Sequence, residues 1–245
     1  MRRFFKLILG VFGLIAVLGI GFAVWGLTPS QPMPEALDAV RSDDQVSVQS
    51  GELLVFTPTD EQTETGFIIY PGGHVDYRAY APIAKEIAAK GYLVVIVPMP
   101  LNLAVLNSEA ALKVIASYPE IKHWAIGGHS LGGAMAAHFI IQHPGEVDGL
   151  ILWASYSASN EDLSDSDIKV LSISATLDGL STPEKIENSR LRLPVDTTWV
   201  MVTGGNHAQF GWYGKQSGDN NPEISRLEQQ DQILSATLDF LATLR

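Results

Sequence analysis

The chain has 245 residues, 46% of them hydrophobic and 18% charged, which is enough apolar material for one sizeable α/β core or two small ones. A formal net charge of −11 argues against a nucleic-acid partner, which needs a basic surface to meet phosphate. With no cysteine there is no disulfide framework, no thiolate nucleophile, no cysteine-held metal and no lipidated cysteine.

The first 29 residues read MRRFFKLILGVFGLIAVLGIGFAVWGLTP. Arg2, Arg3 and Lys6 precede an uncharged, mostly apolar run over residues 7–27. At ~1.5 Å per residue that run makes about 31 Å of helix, the thickness of a bilayer's hydrocarbon core. Trp25 near its end suits a membrane interface better than a cleavage site. The expectation is therefore an N-terminal transmembrane helix, an uncleaved signal-anchor over residues 1–27. The basic residues ahead of it set the N-terminus in the cytoplasm, so a single-pass membrane protein with its catalytic domain on the non-cytoplasmic side is expected. The alternative is secretion after cleavage of a signal peptide. Pro29, Pro32 and Pro34 then mark a linker over residues 28–45, with a short helix around residues 36–41.

From Val46 to the end, strand and helix patterns alternate without a second linker, so residues 46–245 read as one domain. VSVQSGELLVFTP suggests a hairpin turning at Ser50 and Gly51. GFIIY (66–70) is an apolar strand. It is followed by the turn PGGHVD and a helix with Pro82 near its start and Gly91 at its stop. Further strands fall at 92–100, at HWAIGGHS, at VDGLILWAS, at 169–178 and at 197–207; helical patterns fall at 108–119, at LGGAMAAHFIIQHPG and at the C-terminus. Apolar strands separated by helices predict an α/β class, a mostly parallel, doubly wound sheet covered on both faces.

In such a sheet, ligands sit beyond the carboxyl ends of the strands. One of those ends carries GHSLG (128–132), a G-x-S-x-G pattern between a predicted strand and a predicted helix. The tight turn thrusts the Ser130 hydroxyl above the sheet, and the close approach of strand and helix requires tiny residues at 128 and 132. The Leu131 amide then lies at a helix N-terminus, where donors are unpaired and an anion is favoured. A serine hydroxyl needs a base, and the base an orienting acid. Among six histidines, His207 follows the final strand in TGGNHAQFGWYG, and Asp178 ends the strand VLSISATLD. Ser130, Asp178 and His207 stand in the order nucleophile, acid, base, each at a strand end. Glu184 and Glu187 are the fallback acids.

The segments GFIIYPGGHVDYRAYAPIAKEIAAKGYLVVIVPMPLNLA, GGHSLGGAMA, SATLDGLSTP and GGNHAQFGWYG resemble the α/β-hydrolase superfamily, in particular small bacterial membrane-anchored hydrolases distantly similar to dienelactone hydrolases. The resemblance covers the chain from about Val46 onward. It implies the α/β-hydrolase fold, with Ser130 as nucleophile, Asp178 as acid and His207 as base. It also implies a first oxyanion donor in PGGH, the Gly73 amide ahead of His74, although Pro71 stands where many relatives have histidine. Serine where dienelactone hydrolases use cysteine points to ordinary acyl-ester chemistry.

The activity expected is that of a serine carboxylesterase passing through a covalent acyl-enzyme. Thioesterase, acyltransferase, perhydrolase or peptidase activity on the same triad is the alternative, and a non-catalytic, membrane-tethered binding protein the remote one. Only 13 residues separate VDGLILWAS from the next strand, so no inserted lid fits and small or soluble esters are the expected substrates. Trp153, Tyr156, Phe210 and Trp212 are candidates to line the site. No metal-ligand spacing and no dinucleotide- or phosphate-loop fingerprint occurs, so neither metal nor cofactor is expected.

Overall fold

The computed structural model describes residues 2–59 and 63–244, with the side chains of residues 2–10 left out of the description. Helix α1 (Arg2–Gly26) leads through an extended stretch to α2 (Pro34–Ala39), whose proline sits at the first helical turn, where its missing N–H costs nothing. Strands β1 (Val46–Ser50) and β2 (Leu54–Pro58) form the antiparallel hairpin. The alternation then runs β3 (Thr65–Tyr70), α3 (Ala81–Ala88), β4 (Leu93–Ile96), α4 (Ala110–Ser117), β5 (His123–His129), α5 (Leu131–Gln142), β6 (Gly149–Trp153), β7 (Lys169–Ala175), α6 (Pro183–Ser189), β8 (Thr198–Val202) and α7 (Arg226–Ala242).

The described strands make one eight-stranded sheet in the order β1-β2-β4-β3-β5-β6-β7-β8. It is parallel from β4 to β8 and antiparallel at the β1-β2-β4 edge. Successive strand side chains point to opposite faces. Phe67 and Ile69 of β3 therefore join one core with Ile83 and Ile87 of α3 and Ile233 and Phe240 of α7. Ile68 and Tyr70 join the other with Val114 of α4 and Phe139 and Ile140 of α5. Burial on both faces is why these strands read as unbroken apolar runs. Where the strand expected over 92–100 is cut to Leu93–Ile96, Pro98 and Pro100 explain it, since proline cannot donate to the ladder. Between β7 and β8 lies α6, which hydrophobic periodicity missed. Its signal is local: Thr182 at the N-cap accepts from the Lys185 N–H at 3.4 Å, and Pro183 follows. The stretch between β6 and β7 contains no helix.

One expectation is corrected. Among the described residues no helix is long and apolar enough to cross a membrane, so the N-terminal transmembrane helix is not found. The side chains of Arg2, Arg3 and Lys6 and the start of the expected span lie outside the described residues. The signal-anchor reading and the membrane tethering that rested on that span lose their support with it.

Candidate active site

Strand β5 delivers Ser130 at its carboxyl end. The Ser130 backbone is left-handed, with φ 52° and ψ −120°, a region a side chain adopts only under constraint. The constraint is visible on both sides. A Cβ at Gly128 or at Gly132 would stand 2.1 Å from the Tyr70 carbonyl oxygen, so only glycine permits β3, β5 and α5 to approach this closely. The Ser130 N–H donates to the Trp153 carbonyl at 3.0 Å. The Ser130 carbonyl accepts from the Ala134 N–H at 3.1 Å and from the Ser155 hydroxyl at 2.6 Å. With its backbone pinned, Ser130 lines a cleft of about 270 Å³ together with Leu131, Ala134, Ser155, Tyr156 and Ser181.

Asp178 and His207 lie beyond the ends of β7 and β8, the next strands but one and two from β5. His207 Nδ1 is 2.7 Å from Asp178 Oδ2, and both side chains are fully buried. Asp178 Oδ1 accepts the N–H groups of Leu180 and Ser181, each at 2.7 Å. A carboxylate held by two amides can only accept from the imidazole, so Nδ1 carries a proton and, in the neutral ring, Nε2 is the acceptor. That Nε2 is buried and has no hydrogen-bond partner among the described residues.

His207 packs beside His129, the residue before the serine, at 4.4 Å between ring centroids. The Tyr80 hydroxyl accepts from the Gly72 N–H at 3.0 Å and donates to His129 Nδ1 at 2.8 Å. Burial, reinforced by the neighbouring His207, holds His129 well below the ordinary histidine range, so its ring is neutral. Burial likewise pushes the Tyr80 phenol up, which keeps it a hydroxyl donor.

The turn after β3 offers three consecutive amides. Gly72 donates to Tyr80. His74 donates to the Asn102 carbonyl at 2.8 Å, so its amide is engaged. Gly73 lies between them with no acceptor among the described residues, and a Cβ there would stand 3.0 Å from Leu131 Cδ2. Gly73 is thus packed against the Leu131 side chain.

Of the four aromatic candidates, Tyr156 lines the cleft. Trp153 is fully buried in the core, edge-on to Phe67 at 5.6 Å, with its indole N–H on Thr237 Oγ1 at 3.3 Å. Phe210 is buried and stacked on His129 at 5.7 Å, behind the base. Trp212 is buried near the Arg226 guanidinium, 5.7 Å from its ring. Glu184 and Glu187 are exposed on α6, and Glu187 pairs with Arg190. Among the described residues no group of three histidine or carboxylate side chains could hold a metal ion.

Sequence reasoning passed over Asp219. Its carboxylate accepts the Gly179 N–H at 3.1 Å and the His207 N–H at 3.2 Å on one oxygen, and the Ala208 N–H at 2.9 Å on the other. It ties the loop bearing the acid to the loop bearing the imidazole. Gln229 of α7 exchanges two hydrogen bonds with the Asn206 backbone, at 3.0 and 2.8 Å. Arg226 donates to the carbonyls of Ala208 and Gly211.

Residues 66–231 match the sequence profile of the alpha/beta hydrolase family. No curated protein matches the chain. Among solved structures, a predicted CIB-like hydrolase from Thermoplasma acidophilum is similar, with a TM-score of 0.61 and 16% identity over 81% of this chain and 100% of its own. A thermophilic esterase from the Planctomycetes species Thermogutta terrifontis is similar too, with a TM-score of 0.57 and 13% identity over 82% of this chain and 92% of its own. At these identities the structural likeness speaks to the fold.

Proposed function

Because the chain belongs to the alpha/beta hydrolase family, whose profile spans most of its length, we propose that it is a serine carboxylesterase for short acyl esters. The observation that carries the reading is the fully buried His207–Asp178 pair, with the Nε2 lone pair unspent. A buried acceptor left unpaired costs about 1–3 kcal/mol, and in the proposed reaction the Ser130 hydroxyl supplies that partner.

In the proposed reaction Ser130 Oγ attacks the ester carbonyl carbon while its proton passes to His207 Nε2. The imidazolium so formed is held by Asp178, whose other oxygen accepts the N–H groups of Leu180 and Ser181. The Gly73 and Leu131 amides receive the oxyanion. His207 returns the proton to the departing alkoxide, leaving an acyl-Ser130. Water, deprotonated by His207 in its turn, attacks the acyl group, and the carboxylic acid leaves as Ser130 regains its proton. The cleft supports short acyl groups: about 270 Å³ is below the ~300–1,000 Å³ of drug-sized sites. The solved structures of similar fold include an esterase, which agrees with this reading.

The test uses the full-length chain with p-nitrophenyl esters and a fluorophosphonate probe. Hydrolysis of acetate and butyrate esters is expected, with no gain in kcat/KM for the decanoate, whose extra methylenes find no wall to bury against. The probe should label Ser130, and Ser130→Ala should abolish both labelling and turnover. Labelling at another serine, or full activity in Ser130→Ala, overturns the assignment.

A further inference from the structure

We infer that the last turn of α1 is a positioning element for the oxyanion turn, holding the Gly73 amide in place through His74 and Asn102. The inference rests on the serine-hydrolase reading and adds to it a role for the N-terminal segment.

A helix ends with carbonyls that have no partner within it. At the end of α1 the Trp25 carbonyl, which also accepts from the Thr28 N–H and hydroxyl, and the Gly26 carbonyl are met by the turn after β3 and by the segment that braces it. His74 Nε2 lies 2.7 Å from the Trp25 carbonyl oxygen and donates to it. The Asn102 side-chain amide donates to the Gly26 carbonyl at 2.8 Å. The Asn102 carbonyl in turn takes the His74 N–H at 2.8 Å. The His74 imidazole lies flat on the Trp25 indole, 4.2 Å between centroids and 4° between planes. Gly26 itself touches the brace, since a Cβ there would stand 2.8 Å from Leu101 Cβ. The chain leaving α1 completes the clamp: the Ser30 N–H donates to the His74 carbonyl at 2.9 Å, and the Ser30 carbonyl accepts the Asp76 N–H at 3.1 Å.

Three non-glycine residues in this small region have left-handed backbones: His74 at φ 58°, Leu101 at φ 50° and Asn102 at φ 55°. Such conformations persist only where the surroundings over-determine them, and here the surroundings are α1 and its exit. What the clamp encloses is functional in the proposed reaction. His74 is the residue after Gly73, and the amides on either side of Gly73 are already spent, on Tyr80 and on Asn102. An amide aimed at a developing oxyanion must be fixed before the reaction begins, because reorienting it during the reaction would consume the stabilisation it gives. The segment 25–30 and the segment 101–102 supply that fixation from outside the sheet.

The experiment compares the full-length wild type with Trp25→Ala, Trp25→Phe and Asn102→Gly. Asn102→Gly removes the side-chain donor while relieving the positive φ, so it keeps the fold even if Trp25→Ala does not. Three quantities are read: kcat per fluorophosphonate-titrated site, KM for p-nitrophenyl acetate, and Ki for a trifluoromethyl ketone. That ketone accepts the Ser130 oxygen at its carbonyl carbon, passes the serine proton to His207 and leaves an oxyanion in the hole. Expected for Trp25→Ala and Asn102→Gly is a 10- to 100-fold lower kcat with KM within about twofold, and a Ki raised by a matching factor. Trp25→Phe, which keeps an aromatic face under His74, should recover most of the loss. A role in stability alone would lower the melting temperature and leave kcat per labelled site and Ki unchanged; that result overturns the inference while the hydrolase reading stands. A wild type that the fluorophosphonate does not label overturns both.

Discussion

Ser130, Asp178 and Asp219 each do a different physical job, and only the first two were legible from spacing. Ser130 is constrained by its neighbours: the Tyr70 carbonyl leaves no room for a Cβ at Gly128 or Gly132. Gly132→Ala should therefore lower stability by about 1–3 kcal/mol through strand displacement and take most of the activity with it, as read by urea unfolding and by turnover. In the proposed reaction Asp178 acts by charge and by fixing a tautomer. Asp178→Asn can present an amide to Nδ1 and force the proton onto Nε2, so kcat should fall about 10⁴-fold with the fold intact, a loss read directly on p-nitrophenyl acetate. If that variant is near wild type while Glu184→Gln is inactive, the acid has been misassigned. Asp219 touches neither reactant nor imidazole ring. It collects backbone N–H groups from both loops, so Asp219→Ala leaves several donors unmet at once. Because Asp219 is half-buried, water repairs part of that deficit; a stability loss of about 1–3 kcal/mol is expected, with kcat down by about 10²-fold as the loops part. Nothing in the local sequence SGDNN separates this aspartate from a turn residue, because its partners lie 40 and 12 positions away in the chain.

At the scale of elements, burial on two faces left its mark on the sequence. The strands appeared as apolar runs, and G-x-S-x-G, Asp178 and His207 each fell at a strand end, where the sheet presents its ligands. Side-chain direction left no such mark. Trp153 stands at a strand end beside the serine's own strand, yet its side chain falls on the face covered by α7 rather than above the sheet. Helix α7 hid its contribution for the opposite reason. An amphipathic reading sends polar residues to solvent, but Gln229 and Gln230 are buried and Arg226 is largely so, spaced three and four apart on the inner face. They satisfy the backbone of the loop that carries His207. The helix is anchored there by a capping box between Ser225 and Glu228. Gln229→Ala should leave the Asn206 N–H and carbonyl buried without partners and cost about 2–4 kcal/mol, with a fall in kcat because the same loop holds the base. Gln229→Glu, which keeps the acceptor but sets a buried carboxylate oxygen against the Asn206 carbonyl, should be no more stable than Gln229→Ala in the urea midpoint. Equal midpoints for all three would remove α7 from the account of the base loop.

The whole molecule joins two regions that a sequence scan treats as unrelated. The apolar N-terminal run invited a reading by length alone, and length carries no information on where a helix end docks; the contacts of Trp25 and Gly26 with His74 and Asn102 span 49 and 76 positions. The same compactness fixes how the fold responds to acid. His129 is fully buried between Tyr80 and His207, with Phe210 and Tyr213 against it, and neither phenol nor the neutral imidazole offers it an opposite charge. Its folded pKa is held well below 6.5, first by burial and then by His207. Below pH 6.5 the unfolded chain binds a proton at position 129 that the folded chain refuses, so stability falls as pH falls. The contribution is complete above about pH 7, where both states are neutral, and it drains away from about 6.5 downward until the folded-state pKa is reached. For one such histidine the limiting slope is about 1.4 kcal/mol per pH unit. Urea unfolding of the wild type at pH 7.5, 6.5 and 5.5 should show that decline, and His129→Gln should flatten it, whatever it does to stability at pH 7.5. The other five histidines are common to both proteins, so the difference in slope reads position 129 together with its coupling to His207. Equal slopes for the two proteins would mean that His129 accepts its proton in the folded state, and that the neutral ring packed behind His207 is charged instead.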